Sequence, residues 1–338
     1  MSNLVNRQWT LANRPAAMVS TDDFKLAEAP VPDPADGQIL VKITYVAFEP
    51  AMRGWMADNP GYMAAIPIGG VMRSMAAGEV VVSRHPDFKP GDKVSGMFGW
   101  QEYAVVDAKG ALLPVQKLAP GVTEEMALSV LGITGLTAYF GMLDVGKPQP
   151  GDTVAVSGAA GATGSIAGQI AKIKGCKVIG IAGGADKCRW LTETAGFDAA
   201  IDYKSENVRK RLRELAPDGI NVFYDNVGGE ILEAALDNLA IGARITLCGA
   251  ISGYNTGSVP QPPKNYMALI LKSSSMAGFL LGQYAKRFGE ASADVGAWVR
   301  DGKLKFAVDV QDGFENVPST FLRLFHGQNL GKQLNRIG

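Results

Sequence analysis

The chain has 338 residues, of which 47% are hydrophobic and 20% are charged, and its formal net charge at pH 7 is zero. A chain of this length accommodates two globular domains, and its apolar content is ordinary for a protein with a buried core. The balanced charge gives no indication of the basic surface that binds nucleic acid, so we expect no nucleic-acid partner.

The sequence shows neither a secretion signal nor a membrane span. Residues 1–9 lack the apolar core of a signal peptide. The most apolar stretch, 127–143, is short and interrupted by glycines, so it predicts a buried helix rather than a span. The odd number of cysteines has no disulfide-framework spacing and fits a reducing compartment. We therefore expect a cytoplasmic protein without a membrane partner.

Residues 1 to about 125 have the composition of an all-β domain. Strand-like runs occur at 39–47, 78–83 and 103–106, and turn signals rich in Pro and Gly separate them, for example at 89–93. Helical spacing is rare in this region. The pattern predicts a barrel-like first domain.

The middle of the chain begins with a glycine-rich turn. An apolar strand at 154–157 leads into Gly158, Gly161 and Gly164, and isoleucines at helical spacing follow. A strand, a tight turn and a helix N-terminus in this order let backbone N–H groups approach a diphosphate. Three glycines alone are a weak signal, but a second strand at 177–181 completes a βαβ unit of about 30 residues.

The end of that second strand favours NADP over NAD. NAD-binding units usually place an acid there, where it accepts a hydrogen bond from the ribose 2′-hydroxyl. This chain instead continues with Ala182, Gly183 and Gly184, and Lys187 follows on the opening turn of a predicted helix. A lysine attracts a 2′-phosphate. A solvated helix lysine is the alternative interpretation of Lys187.

Further strands alternate with helical patterns through the rest of the middle region. They lie at 199–203, 221–225 and 244–248. This alternation predicts a doubly wound parallel sheet, in which ligands bind beyond the carboxyl ends of the strands. The predicted domains are therefore residues 1–125 with 301–338, and residues 126–300.

Several spaced motifs together resemble the medium-chain dehydrogenase/reductases, and the similarity runs over nearly the whole chain. The general motifs are Pro-Gly-Asp-Lys-Val at 90–94 and Ala-Ala-Gly-Ala-Thr-Gly-Ser at 159–165. More specific motifs lie at 49–56, 68–72, 135–141, 175–184, 225–229, 251–255 and 327–332. They resemble the zinc-free branch that contains the prostaglandin/leukotriene reductases, plant double-bond reductases and bacterial curcumin reductases.

The resemblance implies a fold and an activity. The fold is α/β, with a GroES-like β-barrel catalytic domain and a Rossmann-fold cofactor domain. The activity is NADPH-dependent reduction of the C=C bond in α,β-unsaturated ketones and aldehydes, so the expected partner is a small-molecule enone. The family also implies a homodimer.

The resemblance places site residues at matching positions of this chain. The residues that it implies for the cofactor are Thr137, Gly161, Ala162, Thr163, Gly164, Gly183, Lys187, Tyr203, Asn226, Cys248, Gly249, Ile251, Tyr254, Phe279, Leu281 and Asn329. For the substrate pocket it implies Ala51, Met52 and Tyr62. The first-domain motif of the family often carries a tyrosine where this chain has Ala51, which puts the usual substrate range in question.

Tyr254 is the candidate catalytic residue. Hydride transfer to the β-carbon of an enone builds negative charge on the carbonyl oxygen. The neutral phenol of Tyr254 can donate a hydrogen bond to that oxygen, acting with the ribose 2′-hydroxyl of the cofactor. The alternative is that Tyr254 only packs against the cofactor. We expect no metal, because a catalytic zinc needs three protein ligands and the two histidines, His85 and His326, lie far from any cysteine in sequence.

Two other functions remain open from the sequence. A quinone reductase of the same superfamily would share the cofactor site and prefer flat quinones. A non-catalytic NADPH-binding protein would keep the cofactor residues without turnover, and the loss of the family tyrosine at Ala51 leaves room for it. Retention of Lys187, Tyr254 and Asn329 argues against the second alternative.

Overall fold

The structure is a computed structural model that describes residues 4–58, 61–109, 113–257 and 261–338. The chain divides into two compact units, and the boundaries between them lie between Leu128 and Ser129 and between Ala307 and Val308. Unit 1 therefore combines the N-terminal region with the C-terminal segment, and unit 2 is the middle of the chain. The sequence predicts boundaries after residues 125 and 300.

The elements of the described residues follow in chain order. The strands are β1 (Val5–Leu11), β2 (Phe24–Pro30), β3 (Gln38–Ala47), β4 (Ala76–Ser83), β5 (Lys93–Gly96), β6 (Tyr103–Asp107), β7 (Gln116–Lys117), β8 (Thr153–Ser157), β9 (Lys177–Ala182), β10 (Ala199–Asp202), β11 (Ile220–Asp225), β12 (Leu239–Leu247), β13 (Ser275–Gly278), β14 (Val308–Asp312) and β15 (Lys332–Arg336). The α-helices are α1 (Met52–Trp55), α2 (Glu124–Leu128), α3 (Ile133–Phe140), α4 (Ala162–Ile173), α5 (Ala185–Glu193), α6 (Val208–Leu215), α7 (Gly229–Leu236), α8 (Ala268–Leu271), α9 (Phe288–Arg300) and α10 (Val317–Leu322).

Unit 1 is built on a seven-stranded sheet with a separate β1–β2 hairpin. The sheet order is β14-β15-β3-β4-β5-β7, and β6 also pairs with β3. The β3–β4 pairing shifts register between Ile43 and Tyr45. Gly78 is required beside this irregularity, because a Cβ there would lie 2.1 Å from the carbonyl oxygen of Lys42. Aromatic rings such as Trp100 and Phe48 fill the core, so the predicted β-rich domain is confirmed.

Unit 2 is built on a six-stranded sheet with parallel pairings throughout. The strand order is β10-β9-β8-β11-β12-β13, so the order reverses between β8 and β11. This is the strand order of a doubly wound sheet. In such sheets ligands bind outside the carboxyl ends of the strands, at the point where the order reverses. Side chains of β8, β9, β11 and β12 form an apolar core. The predicted Rossmann-type sheet is therefore confirmed.

The apolar stretch at 127–143 is not the single buried helix that the sequence predicts. The chain forms the end of α2, then α3, and then a π-helical segment at Gly141–Gly146. Gly132, which precedes α3, is extended, with φ −92° and ψ −161°. A Cβ at Gly135 would lie 1.8 Å from the carbonyl oxygen of Val130, so the chain turns tightly there. Among the described helices, none has the length and apolar character needed to cross a membrane.

Candidate functional site

The glycine-rich turn presents the N-terminus of α4 at the carboxyl end of β8. Gly158 has a φ of +56°, and Gly161 is the extended residue before the helix, with no side-chain cap. A Cβ at Gly164 would lie 2.4 Å from the carbonyl oxygen of Gly158, and a Cβ at Gly161 would lie 3.1 Å from it. The absence of side chains at these glycines therefore brings the first turn of the helix close to the loop. The first N–H groups of a helix have no partner within it, so this geometry suits a diphosphate.

A buried carboxylate joins the ends of β8 and β11. Asp225 has no exposed area, and its Oδ1 accepts a hydrogen bond of 2.6 Å from the Ser157 hydroxyl. The N–H groups of Val227 and Gly228 donate to the same oxygen at 3.0 and 3.1 Å. Burial raises the pKa of Asp225, and these hydrogen bonds act in the opposite direction. The carboxylate thus fixes the turn that begins beyond β11.

Asn226 is held at the same edge of the sheet. Its side-chain amide donates to the carbonyl oxygen of Ser157 at 2.7 Å, and its backbone N–H donates to the Ser157 hydroxyl at 2.8 Å. The N–H groups of Cys248 and Gly249 donate to the carbonyl oxygen of Asp225, which ties the end of β12 to the end of β11. The structure therefore brings the predicted residues Asn226, Cys248 and Gly249 together.

Tyr254 lies one turn beyond the end of β12. It follows a short 3₁₀ turn at Ile251–Gly253, and the N–H of Ile251 donates to the carbonyl oxygen of Asn226 at 3.3 Å. The Tyr254 hydroxyl accepts a hydrogen bond of 3.2 Å from the N–H of Ala250. A Cβ at Gly249 would lie 3.3 Å from this hydroxyl oxygen. The phenol is therefore positioned over the backbone that continues from β12.

A second group of predicted residues surrounds the buried Tyr224. The Tyr224 hydroxyl donates to the carbonyl oxygen of Thr137 at 3.1 Å and is also hydrogen-bonded to Cys248. A Cβ at Gly141 would lie 2.7 Å from this hydroxyl oxygen and 2.6 Å from the Phe279 ring, so both side chains pack against Gly141. Burial raises the pKa of the Cys248 thiol to about 11, so the thiol is neutral at pH 7. A neutral thiol is a poor nucleophile, and Cys248 fits a packing or binding role.

Two of these predicted residues have particular local settings. The Thr137 hydroxyl donates to the carbonyl oxygen of Ile133 in its own helix, at 2.7 Å. Leu281 opens a 3₁₀ turn at Leu281–Arg287, directly after the segment that carries Phe279.

The ends of β9 and β10 form a separate part of the edge. Gly183 follows β9, and a Cβ there would lie 2.8 Å from the Tyr203 ring, so the ring packs on the glycine. Lys187 is half-buried in the first turn of α5. No acid ends β9, as the sequence predicts, but Asp202 ends the neighbouring β10. This edge thus presents a lysine, an aromatic ring and one carboxylate.

The predicted residues of unit 1 have different environments. Ala51 precedes α1 and packs against the core of the unit, and Met52 has no exposed area. Tyr62 is 60% exposed. The Asn329 side chain donates to the carbonyl oxygen of Gly331 at 2.8 Å, which fixes the turn before β15.

The sequence patterns predict no individual role for Asp202, Tyr224 or Asp225. The available signal was an acid as the last residue of an apolar strand, which occurs at both Asp202 and Asp225. Within the described ranges, no group of three or more His, Cys, Asp and Glu side chains is arranged to hold a metal ion.

The chain resembles known oxidoreductases along its whole length. A family profile described as the N-terminal domain of oxidoreductase matches residues 7–113, and one described as zinc-binding dehydrogenase matches residues 162–295. The NADPH-dependent curcumin reductase of Escherichia coli (strain K12) is 40% identical over 98% of this chain and 97% of that protein. Prostaglandin reductase 1 of Bos taurus is 36% identical over 97% of this chain and 98% of that protein. The crystal structure of CurA from Vibrio vulnificus in complex with NADPH has a TM-score of 0.92 and 38% identity, covering 98% of this chain and 99% of that one.

The buried carboxylate gives a prediction about stability. Asp225→Ala removes the acceptor of three donors and leaves them buried, so we expect a loss of about 3 kcal/mol in the free energy of unfolding. Ser157→Ala leaves the carboxylate with its two backbone donors and should cost about 1 kcal/mol. The midpoint of urea unfolding measures both changes. An Asp225→Ala chain that unfolds at the same urea concentration as the unsubstituted chain would contradict this role.

Proposed function

The chain belongs to the zinc-free branch of the medium-chain dehydrogenase/reductases, and we propose that it uses NADPH to reduce the C=C bond of α,β-unsaturated ketones and aldehydes. The observation that carries this proposal is the helix N-terminus that follows the glycine turn at Gly158–Gly164, which has no side-chain cap and lies at the reversal of a parallel sheet. The relatives described above are named as a curcumin reductase and a prostaglandin reductase, and the structural neighbour binds NADPH.

The residues of unit 2 fit a dinucleotide. The glycines let the first turn of α4 pack closely on the loop, because a Cβ at Gly161 or Gly164 would meet the carbonyl oxygen of Gly158. The backbone N–H groups of 162–164 suit the diphosphate. We propose that Asn226, Gly249 and Ile251 contact the cofactor along the edge of the sheet, together with Thr137, Cys248, Phe279 and Leu281. Bound NADPH would supply the hydride that adds to the β-carbon of the enone.

The preference for NADPH over NADH follows from the ends of β9 and β10. The segment after β9 presents Gly183 without an acid, and Lys187 supplies positive charge on the next helix. We propose that Lys187 and Tyr203 bind the 2′-phosphate. A lysine ammonium pairs with a phosphate, and the Tyr203 ring offers a face for the adenosine end.

Tyr254 is the proposed donor to the substrate. Negative charge develops on the carbonyl oxygen as the hydride arrives, and a hydrogen-bond donor held in place stabilises that charge. The backbone N–H of Ala250 holds the Tyr254 hydroxyl oxygen, which restricts where the phenol proton can point. We assign Tyr254 as the catalytic residue of the proposed reaction.

Unit 1 supplies the remaining proposed contacts. We propose Ala51, Met52 and Tyr62 as substrate-pocket residues and Asn329 as a contact of the nicotinamide end. The alternative for Tyr62, whose ring is 60% exposed, is a loop residue on the surface. The small side chain at Ala51 favours a substrate with a bulky group.

A substrate panel tests the function. We expect NADPH oxidation with a straight-chain enone and a bulky aryl enone, and a clearly lower kcat/KM when NADH replaces NADPH. The absorbance of the reduced nicotinamide measures the rate, and a quinone serves as the competing substrate. Turnover of the quinone alone would favour a quinone reductase, and cofactor binding without turnover of any substrate would favour a non-catalytic protein.

Replacing the phenol tests the donor. Tyr254→Phe should lower kcat for an enone about 100-fold, because one donor to the developing charge is lost. The dissociation constant of NADPH should stay close to that of the unsubstituted enzyme. Tyr103→Phe, in unit 1 and outside the proposed site, is the matched control and should keep full activity. An unchanged kcat in Tyr254→Phe would remove Tyr254 from the catalytic role.

We also propose a cytoplasmic enzyme with no nucleic-acid or membrane partner. The three cysteines, all within the described ranges, are free thiols, which fits a reducing compartment. The zero net charge is consistent with a small-molecule substrate as the main partner.

A homodimer is the proposed assembly, formed through the β13 edge of the unit 2 sheet. Within the described chain, β13 is the last strand on its side of the sheet. Apolar side chains beside it are well exposed, including Ile270 at 69% and both Leu271 and Ile241 at 80%. The N–H of Gly242 donates to the carbonyl oxygen of Lys272 at 2.7 Å, which holds these residues at one end of the edge. A second copy would cover the apolar surface and pair the strand edge.

A charge in this patch should prevent dimer formation. Leu271→Asp places a carboxylate in the proposed interface and should weaken association by about 2 kcal/mol or more. Val5→Asp, an exposed apolar residue of unit 1, is the control and should leave the dimer intact. Sedimentation equilibrium gives the mass in solution. An unsubstituted chain that sediments as a monomer, or a Leu271→Asp chain that remains a dimer, would contradict this interface.

A further inference from the structure

The carboxylate of Asp202 is hydrogen-bonded to both backbone segments that carry the residues proposed for the 2′-phosphate. Asp202 is the last residue of β10 and pairs in register with Ala182, the last residue of β9. Its Oδ1 accepts hydrogen bonds from the N–H groups of Gly184 at 2.8 Å and Lys204 at 3.0 Å. Its Oδ2 accepts one from the Ser205 hydroxyl at 3.0 Å. One side chain therefore connects the segment after β9 with the turn after β10.

On the β9 side, Asp202 fixes the start of the helix that carries Lys187. Gly184 is the residue before α5 and has a φ of +99°, a conformation that other residues rarely adopt. No side chain of its own caps the helix. The hydrogen bond from the Gly184 N–H to Asp202 holds this backbone in place. The direction of α5, and with it the position of Lys187 in the first turn, depends on that bond.

On the β10 side, Asp202 fixes the turn that carries Tyr203. The Tyr203 N–H donates to the carbonyl oxygen of Ala182 at 3.0 Å, and its ring packs on Gly183. The Asp202 N–H donates to the Glu206 carboxylate at 2.8 Å, and Arg211 pairs with Glu206. The turn is thus held at both ends.

The carboxylate of Asp202 is hydrogen-bonded to donors of the protein. A carboxylate at this edge of the sheet would repel a 2′-phosphate if it faced the nucleotide. Here three donors of the protein surround the carboxylate, and the hydrogen bond from Gly184 lowers its pKa. The side chain is therefore ionised at neutral pH and engaged with the turn.

We propose that Asp202 is a positioning residue for the 2′-phosphate, which acts by holding Gly184 and the Tyr203 turn in the geometry that binds it. The inference rests on the proposed use of NADPH and adds the residue that organises its selectivity. Lys187 and Tyr203 touch the phosphate, and Asp202 acts through them.

Binding measurements on Asp202→Ala and Asp202→Asn test the inference without any substrate. The full-length chain is titrated with NADPH and with NADH, and nucleotide fluorescence gives the two dissociation constants. Asp202→Ala should weaken NADPH binding about 10-fold and leave NADH binding nearly unchanged, because the lost hydrogen bonds position the phosphate contacts. Asp202→Asn keeps an oxygen that accepts from Gly184 and should restore most of the affinity for NADPH.

Gly184→Ala provides a second variant. A Cβ at this position meets no atom within 4 Å, so the substitution changes only the backbone preference. It should reduce the preference for NADPH in the same direction as Asp202→Ala. This variant keeps the inference testable should Asp202→Ala fail to fold.

Three results would overturn the inference. Equal weakening of NADPH and NADH binding in Asp202→Ala would show a general structural role. Tighter NADPH binding in both Asp202 variants would show that the carboxylate repels the phosphate. Equal affinity of the unsubstituted chain for NADPH and NADH would remove the proposed cofactor preference itself, and it is distinguished from the other two because it needs no variant.

Discussion

The buried carboxylate of Asp225 is the interaction on which the candidate site depends. It connects β8 to β11 at the point where the strand order reverses, through Ser157 and two backbone N–H groups. Burying a charge is unfavourable unless hydrogen bonds replace water, and here three donors do so. Asn226 and the backbone after β12 are attached to these strand ends, since Asn226 is hydrogen-bonded to Ser157 and the N–H groups of Cys248 and Gly249 donate to the carbonyl oxygen of Asp225.

A second strand-end carboxylate that accepts backbone N–H groups lies at β10, the last strand on the other side of the sheet. Asp225 and Asp202 are each the last residue of a parallel strand, and each accepts a hydrogen bond from a backbone N–H group of the turn that follows. Neither carboxylate is the strand-end acid of an NAD site, which would follow β9. The sheet edge proposed to bind the phosphates of NADPH can therefore contain both Asp202 and Asp225, because backbone N–H groups donate hydrogen bonds to each carboxylate. Positive charge at Lys187 and the N-terminus of α4 are then the features presented to the phosphates.

Local sequence patterns predict the glycine turn and the unit 2 strands β8 to β12, but not β13. Strand and helix alternation gave the parallel sheet, and the spacing of Gly158, Gly161 and Gly164 gave the turn, because these features depend on neighbours in sequence. The interruption at Gly132 was not predicted, since an apolar run does not reveal where the backbone becomes extended.

The arrangement around Tyr224 also lay beyond the sequence. Thr137, Cys248 and Phe279 reach Tyr224 from distant elements, and only the folded sheet brings them together. The complete burial of Met52 is likewise a property of the packed core of unit 1 and not of its local motif.

The destination of the hydride tests the proposed reaction directly. The enzyme is supplied with NADPH carrying deuterium at C4 of the nicotinamide and with an α,β-unsaturated ketone, and the product is analysed by NMR. We expect a saturated ketone with deuterium on the β-carbon. Deuterium on the carbinol carbon of an allylic alcohol would show carbonyl reduction and contradict the proposed reduction of the C=C bond.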